Sequence, residues 1–194
     1  MKCGGSGTVT VDDAKHELVA LDVLYVGKGS GEVVFDGTDA RYYLVSAPAH
    51  HVHPTTLARR DEVFQTTLGD QAHANIRTIR RYVHADGVAS DQLVLGITEL
   101  AEGSVWNTMP CHTHERRTEV YLYFRLGPAD RIMHLAGPPD ATRSVIVANE
   151  QAVIAPPWSV HCGAGTANYT FVWAMAGENV AFEDMDQVAT EQLR

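Results

Sequence analysis

His112-Thr113-His114-Glu115-Arg116-Arg117-Thr118-Glu119 decides the reading of this chain, and Pro156-Pro157-Trp158-Ser159-Val160-His161 answers it. Two imidazoles and a carboxylate fall within eight residues, and a third imidazole arrives from a later hydrophobic stretch. Neutral imidazoles with a carboxylate form a donor set for a divalent transition metal, zinc among them. The spacing suits a β-barrel. Residues i and i+2 of a strand share a face, so His112 and His114 point into one cavity. Glu119 is five residues beyond His114, the wrong parity for an unbroken strand. A bulge or break is therefore expected among Glu115 to Thr118, a device that re-aims side chains beside active sites. From Glu119 the run Val120-Tyr121-Leu122-Tyr123-Phe124 resumes as a strand. Tyr121 and Tyr123 share the parity of Glu119, and Tyr121, being nearer, is the candidate for pocket contact.

Working outward, the pattern is one of short β runs. Thr8–Val11, Val23–Val26, Glu32–Phe35 and Arg41–Val45 come early. Gln92–Leu100, Glu119–Leu126, Ile132–Leu135, Ser144–Ala148, Gln151–Ile154 and Tyr169–Met175 follow. Gly, Pro, Asn and Asp punctuate them, as in Gly137-Pro138-Pro139-Asp140. Many short strands at near-regular spacing predict an all-β sandwich or barrel. Residues 54–89 lack a clean strand pattern and read as a connection between residues 1–53 and residues 90–194. In the tail, Phe182, Met185, Val188 and Ala189 stand at helical spacing and predict a short amphipathic helix from Phe182 to Leu193. A weak echo of the 151–161 region in residues 22–32, with Glu32 in the place of His161, suggests two related barrels of which the second carries the complete metal set.

Composition narrows the partners. The chain has 194 residues, 45% hydrophobic and 20% charged, with a formal net charge of -9. That is ordinary globular composition. The acidic balance and the lack of a basic stripe argue against nucleic acid. No apolar run approaches the ~20 residues that span a bilayer, and Met1-Lys2-Cys3-Gly4-Gly5 carries no apolar secretory core. The cysteines, Cys3, Cys111 and Cys162, are too few for a disulfide framework, so a cytoplasmic setting is the simplest reading. Cys111 and Cys162 each adjoin a ligand-type histidine and face away from it on extended backbone, as packing residues. Arg116-Arg117 is the cation pair nearest the ligand segment. His50, His51 and His53 offer another His-x-His, without an obvious carboxylate partner in sequence.

His-x-His, a following Glu and a distant His after a proline turn resemble the two cupin motifs, with departures. Gly103 lies further upstream of His112 than usual, and Trp158 stands where the second motif has glycine, which excludes a glycine-only conformation and is expected to bring a large ring near the metal. The wider text is more specific. Leu95-Gly96-Ile97-Thr98-Glu99-Leu100, Trp106-Asn107-Thr108-Met109-Pro110-Cys111-His112-Thr113-His114-Glu115-Arg116-Arg117 and Glu119-Val120-Tyr121 resemble the 5-keto-4-deoxyuronate isomerase family (4-deoxy-L-threo-5-hexosulose-uronate ketol-isomerases). Asn149-Glu150-Gln151, Trp158-Ser159, His161, Gly177-Glu178-Asn179 and Asp184-Met185-Asp186 continue the match. So do Tyr25-Val26-Gly27-Lys28-Gly29 and Ala47-Pro48-Ala49-His50 nearer the front.

The resemblance implies a bicupin, two double-stranded β-helix barrels, with one Zn2+ per subunit held by His112, His114, Glu119 and His161. It implies homohexamers. Family chains begin further upstream, so the first barrel is expected to be incomplete and its open edges to pair with other chains. The implied reaction is an aldose–ketose interchange, an intramolecular oxidoreduction of uronate and pectin catabolism. It takes 5-dehydro-4-deoxy-D-glucuronate to 3-deoxy-D-glycero-2,5-hexodiulosonate through an enediolate that zinc stabilises as a Lewis acid. A general base must move a proton between adjacent carbons, and Glu178, Glu99 and Asp186 are the carboxylate candidates. Arg116, Arg117, Tyr121 and Trp158 are candidates for substrate contact. Two alternatives use the same donors: a redox cupin of dioxygenase type with another metal, and a sugar-binding cupin without turnover.

Overall fold

The protein is described from a computed structural model, which covers residues 1–177 and 184–194. Strand β1 (Lys2–Val11) turns through Asp12-Asp13 into β2 (Ala14–Leu18). Both turn residues have positive φ, 46° and 65°, the backbone that matches the twist of a two-residue hairpin and that aspartate tolerates. Next come β3 (Val23–Tyr25), β4 (Val33–Tyr42) and β5 (Thr56–Ala58). They form a three-stranded sheet in the order β2-β1-β4 and a two-stranded β3-β5 pair. This half is an open barrel around an apolar hollow of about 510 Å³, lined by Val9, Leu24, Phe35 and Leu44 among others.

The second half continues with β6 (Phe64–Leu68), β7 (Arg77–Val83), β8 (Leu93–Leu100), β9 (Trp106–Asn107), β10 (His112–His114) and β11 (Arg117–Phe124). After these run β12 (Ile132–Ala136), β13 (Arg143–Val147), β14 (Gln151–Ala155), β15 (Cys162–Gly165), β16 (Thr170–Gly177) and β17 (Met185–Gln187). A six-stranded antiparallel sheet, β14-β11-β16-β8-β7-β6, faces a four-stranded one, β13-β12-β15-β9. Between them Tyr121, Tyr123, Phe171, Trp173, Ile132 and Val147 form one core.

Strand parity divides the six-stranded sheet. On its other face Leu122, Phe124, Val172, Ala174, Leu95 and Ile97 pack with Leu21, Val23 and Tyr25 of the first half. Successive residues point to opposite faces, so Leu122, Phe124, Val172 and Ala174 serve one core while Tyr121, Tyr123, Phe171, Trp173 and Met175 serve the other. Each fully buried large apolar side chain contributes roughly 1.5–3 kcal/mol, so this shared sheet joins the halves firmly.

Two expectations are corrected. The helix expected from Phe182 to Leu193 is absent among the described residues. Met185–Gln187 is strand β17, registered on β10 through His112↔Gln187, Thr113↔Asp186 and His114↔Met185, and only Thr190–Gln192 coils, as a 3-10 turn. Phe182 itself lies outside the described residues. Pairing to an exposed edge satisfies the backbone of this segment, and tertiary context overrides local periodicity. Residues 54–89, which have no clean strand pattern, contain β5, β6 and β7, and the last two extend the six-stranded sheet. β7 escapes notice because its inward positions include Arg77 and Arg81. It ends in a register shift between Arg81 and Val83, which turns both Tyr82 and Val83 into the core shared with the first half.

Candidate metal centre

The break expected after His114 is present. β10 ends at His114, Glu115 and Arg116 leave the strand, and β11 begins at Arg117. The interruption restores inward parity for Glu119. On the opposite side, Ser159 N–H donates to the Pro156 carbonyl at 2.9 Å, closing the turn that delivers His161. The His114 N–H donates to the Pro157 carbonyl at 2.9 Å, stitching β10 to that turn. Val160 N–H to the Gly137 carbonyl (2.9 Å) and Gly137 N–H to Ser159 Oγ (2.8 Å) hold the turn from below.

Four donors converge: one atom each from His112, His114, Glu119 and His161 lies within 4.8 Å of the others. Their residue exposures are 9%, 3%, 3% and 1%, so water contributes little to solvating them. Glu119 Oε2 stands 2.8 Å from His161 Nε2 and 3.1 Å from His114 Nε2, and the Nε2 atoms of His161 and His112 are 3.0 Å apart. His161 Nδ1 lies 3.2 Å from the Ser159 carbonyl, to which an Nδ1–H donates. That contact fixes the ring so that Nε2 faces the cluster, the outer-sphere arrangement typical of metal-binding histidines.

Charge in the cluster follows from burial and neighbours. Burial, then the facing His161, push His112 down to about 3, so its ring is neutral with a lone pair to donate. Burial alone would raise the Glu119 carboxyl, but His161 and His114 outweigh it and hold it below the usual carboxylate range. Burial disfavours the His161 imidazolium, yet Glu119 overrides this and the His161 value lies above its ordinary one. A buried anion among lone pairs favours positive charge at the cluster centre. Two ring nitrogens at 3.0 Å share at most one proton, whereas a divalent cation takes both lone pairs. The residues present fit a transition-metal ion on these grounds.

The cluster opens into a cavity of about 460 Å³. Tyr121 lines it, 3% exposed, with its hydroxyl 3.0 Å from Thr108 Oγ1. Burial, then Glu119, raise the phenol well above its usual value, so it stays an O–H donor. Other residues named from sequence stand elsewhere. Arg117 is buried and bonded to Asp184, whose Oδ1 is 3.7 Å from His114 Nδ1. Arg116 is exposed. Trp158 is 60% exposed and absent from the cavity wall, correcting the expectation of a ring beside the metal. Glu99 has the outward parity of β8 and pairs with Arg80 and, at 2.7 Å, with Arg125. Asp186 is exposed, while its β17 neighbours Met185 and Gln187 line the cavity. Glu178 lies outside the described residues. Cys111 and Cys162 are buried in an apolar cluster with Val160 and Val188, as packing residues.

Sequence reasoning missed the β6–β7 wall of the cavity, with Thr66, Leu68, Arg77, Ile79 and Arg81. It also missed the carboxylate at the His50–His53 loop. Asp91 accepts from the His50 and His51 amides and meets His51 Nδ1 at 2.9 Å and His53 Nε2 at 3.4 Å.

An antiparallel barrel bearing His-x-His, a following Glu and a distal His on its inner wall is a cupin. The chain belongs to the KduI/IolB family, whose model matches residues 5–193. It is 55% identical over 198 residues to the 4-deoxy-L-threo-5-hexosulose-uronate ketol-isomerase of Kineococcus radiotolerans, covering 98% of this chain and 71% of that protein. It is 52% identical over 195 residues to the proteins of the same name from Shouchella clausii and Escherichia coli, covering 98% of this chain and 71% and 70% of theirs. In fold it resembles an IolB-like protein from Salmonella typhimurium at a TM-score of 0.77 and 16% identity, over 96% of this chain and 77% of that one.

Proposed function

We propose that the protein is a metal-dependent ketol-isomerase that converts 5-dehydro-4-deoxy-D-glucuronate to 3-deoxy-D-glycero-2,5-hexodiulosonate. One observation carries the reading. The convergence of His112, His114, Glu119 and His161 opens into a cavity, in a chain more than half identical to a relative bearing the ketol-isomerase name. Zinc is the proposed ion, one per subunit, with those four residues as its ligands. Bound there, it supplies Lewis-acid polarisation of the carbonyl and neighbouring hydroxyl oxygens of the substrate.

The chain's own groups do the rest. Apolar walls from Phe171, Trp173, Met175 and Met185 keep water from the reacting carbons. The Tyr121 hydroxyl, held by Thr108, donates a hydrogen bond to a substrate oxygen and orients the chain. Asp184 and Arg117 brace His114 from behind. Glu119 is the sole carboxylate among the described residues that line the cavity. As a ligand it is engaged; Glu99 and Asp186 lie off the cavity wall, and Glu178, the remaining carboxylate candidate for the proton-moving base, lies outside the described residues.

The division into a first cupin and a metal-binding cupin, the second taking in β6 and β7 from residues 54–89, is part of the proposal, as is assembly into homohexamers. Exposed apolar side chains of the first half, among them Val34, Phe35 and Leu44, support self-association. The isomerase reading is tested by proton NMR of the purified, metal-loaded protein with the 5-dehydro uronate. Loss of the aldehyde or hydrate signal with gain of the ketose methylene is expected, and an unchanged spectrum overturns it. Sedimentation velocity tests assembly, for which a monomer is the contrary result. No helix among the described residues is long and apolar enough to cross a membrane.

A further inference from the structure

The β6–β7 hairpin builds a wall of the metal cavity that the reaction as described leaves unused. Register pairs Leu68 with Arg77, Thr66 with Ile79 and Phe64 with Arg81. Arg77, Ile79 and Arg81 share one face of β7, and all three line the cavity. The two arginines are the only Lys or Arg side chains among the described lining residues. They are not equivalent. Arg81 is engaged, with Nη1 3.1 Å from Asp86 and its guanidinium 5.0 Å from the Phe64 ring centroid. Among the described residues Arg77 donates to the Asn75 carbonyl at 3.0 Å and has no carboxylate partner.

We infer that Arg77 is the residue that binds the substrate's carboxylate, an inference that rests on the uronate ketol-isomerase reading. The substrate is polar at both ends: the aldehyde and adjacent hydroxyl react at one, and the carboxylate sits at the other. A cation next to the metal ligands, as Arg116 and Arg117 are in sequence, would meet the wrong end. Glu119 is on β11 and Arg77 on β7, three inter-strand steps away in one sheet. At ~4.8 Å per step this is about 14 Å across the sheet, and register sets Glu119 level with Val94 but Arg77 level with Leu100, about 20 Å further along the strands at ~3.4 Å per residue, so the two stand toward opposite ends of the cavity that both line. The Tyr121 ring centroid is 5.5 Å from that of His161, and Tyr121 lines the same cavity as Arg77.

The surroundings strengthen the contact. Arg77 is half-buried against Leu68 and Ile79, and burial lowers its value, so its cationic form gains from an anionic partner. A guanidinium fork matches a carboxylate with two parallel donors, which a lysine cannot reproduce. Against the chain's net charge of -9, this local cation also explains how an acidic protein accepts an acidic substrate.

The test uses the metal-loaded 194-residue protein, with D-glucuronate and D-glucose as binding probes in calorimetry and the 5-dehydro uronate in steady-state kinetics. Arg77→Gln is expected to weaken glucuronate binding and raise KM by roughly 10–100-fold, as loss of a charge-assisted contact does, while kcat changes less than about threefold. Arg77→Lys is expected to recover part of the loss. Equal metal content in all three proteins excludes a folding defect. Preference of the wild type for glucuronate over glucose that disappears in Arg77→Gln completes the support. A KM and a glucuronate affinity within about threefold of wild type in Arg77→Gln overturn the inference. A wild type that binds glucuronate through Arg77 without isomerising the uronate sinks the isomerase reading instead and leaves the anion site standing.

Discussion

Glu119→Gln isolates the part played by charge in the metal centre. The substitution keeps the shape of a side chain that is 3% exposed and removes its anion. Glu119 Oε2 faces two imidazole nitrogens, at 2.8 and 3.1 Å. Those contacts give way when the nitrogens turn their lone pairs to an ion, so the loss comes from the missing anionic ligand itself. Removing even an outer-sphere partner of a metal ligand typically costs about 10–100-fold in affinity, and removing a ligand's own charge should cost no less. The expected loss is therefore roughly 100-fold, about 2.8 kcal/mol. Competition with a zinc-selective chromophoric chelator measures it, with isomerase turnover recorded on the same samples. Affinity and activity should fall together, and activity should return partly at saturating zinc. A variant that holds zinc as tightly as the wild type would refute the placement of Glu119 among the ligands. Full turnover in protein verified as metal-free would refute the Lewis-acid role.

Further outcomes follow from other parts of the fold. Gly96 faces Trp173, and a Cβ there would fall inside the indole. Gly96→Ala should cost about 1–3 kcal/mol by overpacking, lower the melting temperature by roughly 2–12 °C, and disturb a ring that lines the cavity; an unshifted melting curve would contradict the packing. Removing one partner of the buried Arg117–Asp184 pair, as in Arg117→Met, should destabilise by about 3–5 kcal/mol, whereas Arg116→Ala on the exposed side should stay within ~0.5 kcal/mol in urea denaturation. Asp91 is held below the usual carboxylate range first by the His51 amide and then by the His51 ring. A carboxyl whose folded value is depressed stabilises above its unfolded value, ~3.9, and loses that contribution as pH falls through the folded value. The protection factors of the His50 and His51 amides, taken against the intrinsic exchange rate at each pH, should therefore be higher at pH 5 and fall progressively below about pH 4, and Asp91→Ala should lack that protection at both; protection independent of Asp91 would disprove the tie.

Much of the centre was readable without coordinates because its signals are local. His112 and His114 share a face through the period of two, and the wrong parity of Glu119 required a break that occurs at Glu115 and Arg116. His161 follows a proline turn whose residues hydrogen-bond to one another and to β10. Most strands from Leu93 to Gly177 were legible because apolar residues alternate or run together along them; β9 and β15, short and carrying Asn107 or glycines, were not. β7 was not legible, because a strand whose inward positions carry arginine shows no hydrophobic alternation. The tail was misread for a related reason. Met185 and Val188 at helical spacing describe a short segment poorly when its backbone is claimed by the edge of β10.

The sequence by itself determined the all-β class, the family resemblance and the four donors, since each depends on residue type at short spacing. Only the tertiary structure decided what surrounds the donors. It turned Trp158 outward, buried Arg117 against Asp184, sent Glu99 to Arg80 and Arg125, and brought Arg77 from β7 onto the cavity wall. The physical reason is that which residue faces a donor across a barrel is set by strand order and register between segments far apart in the chain. The six-stranded order β14-β11-β16-β8-β7-β6 has no trace in the local spacing of any one strand.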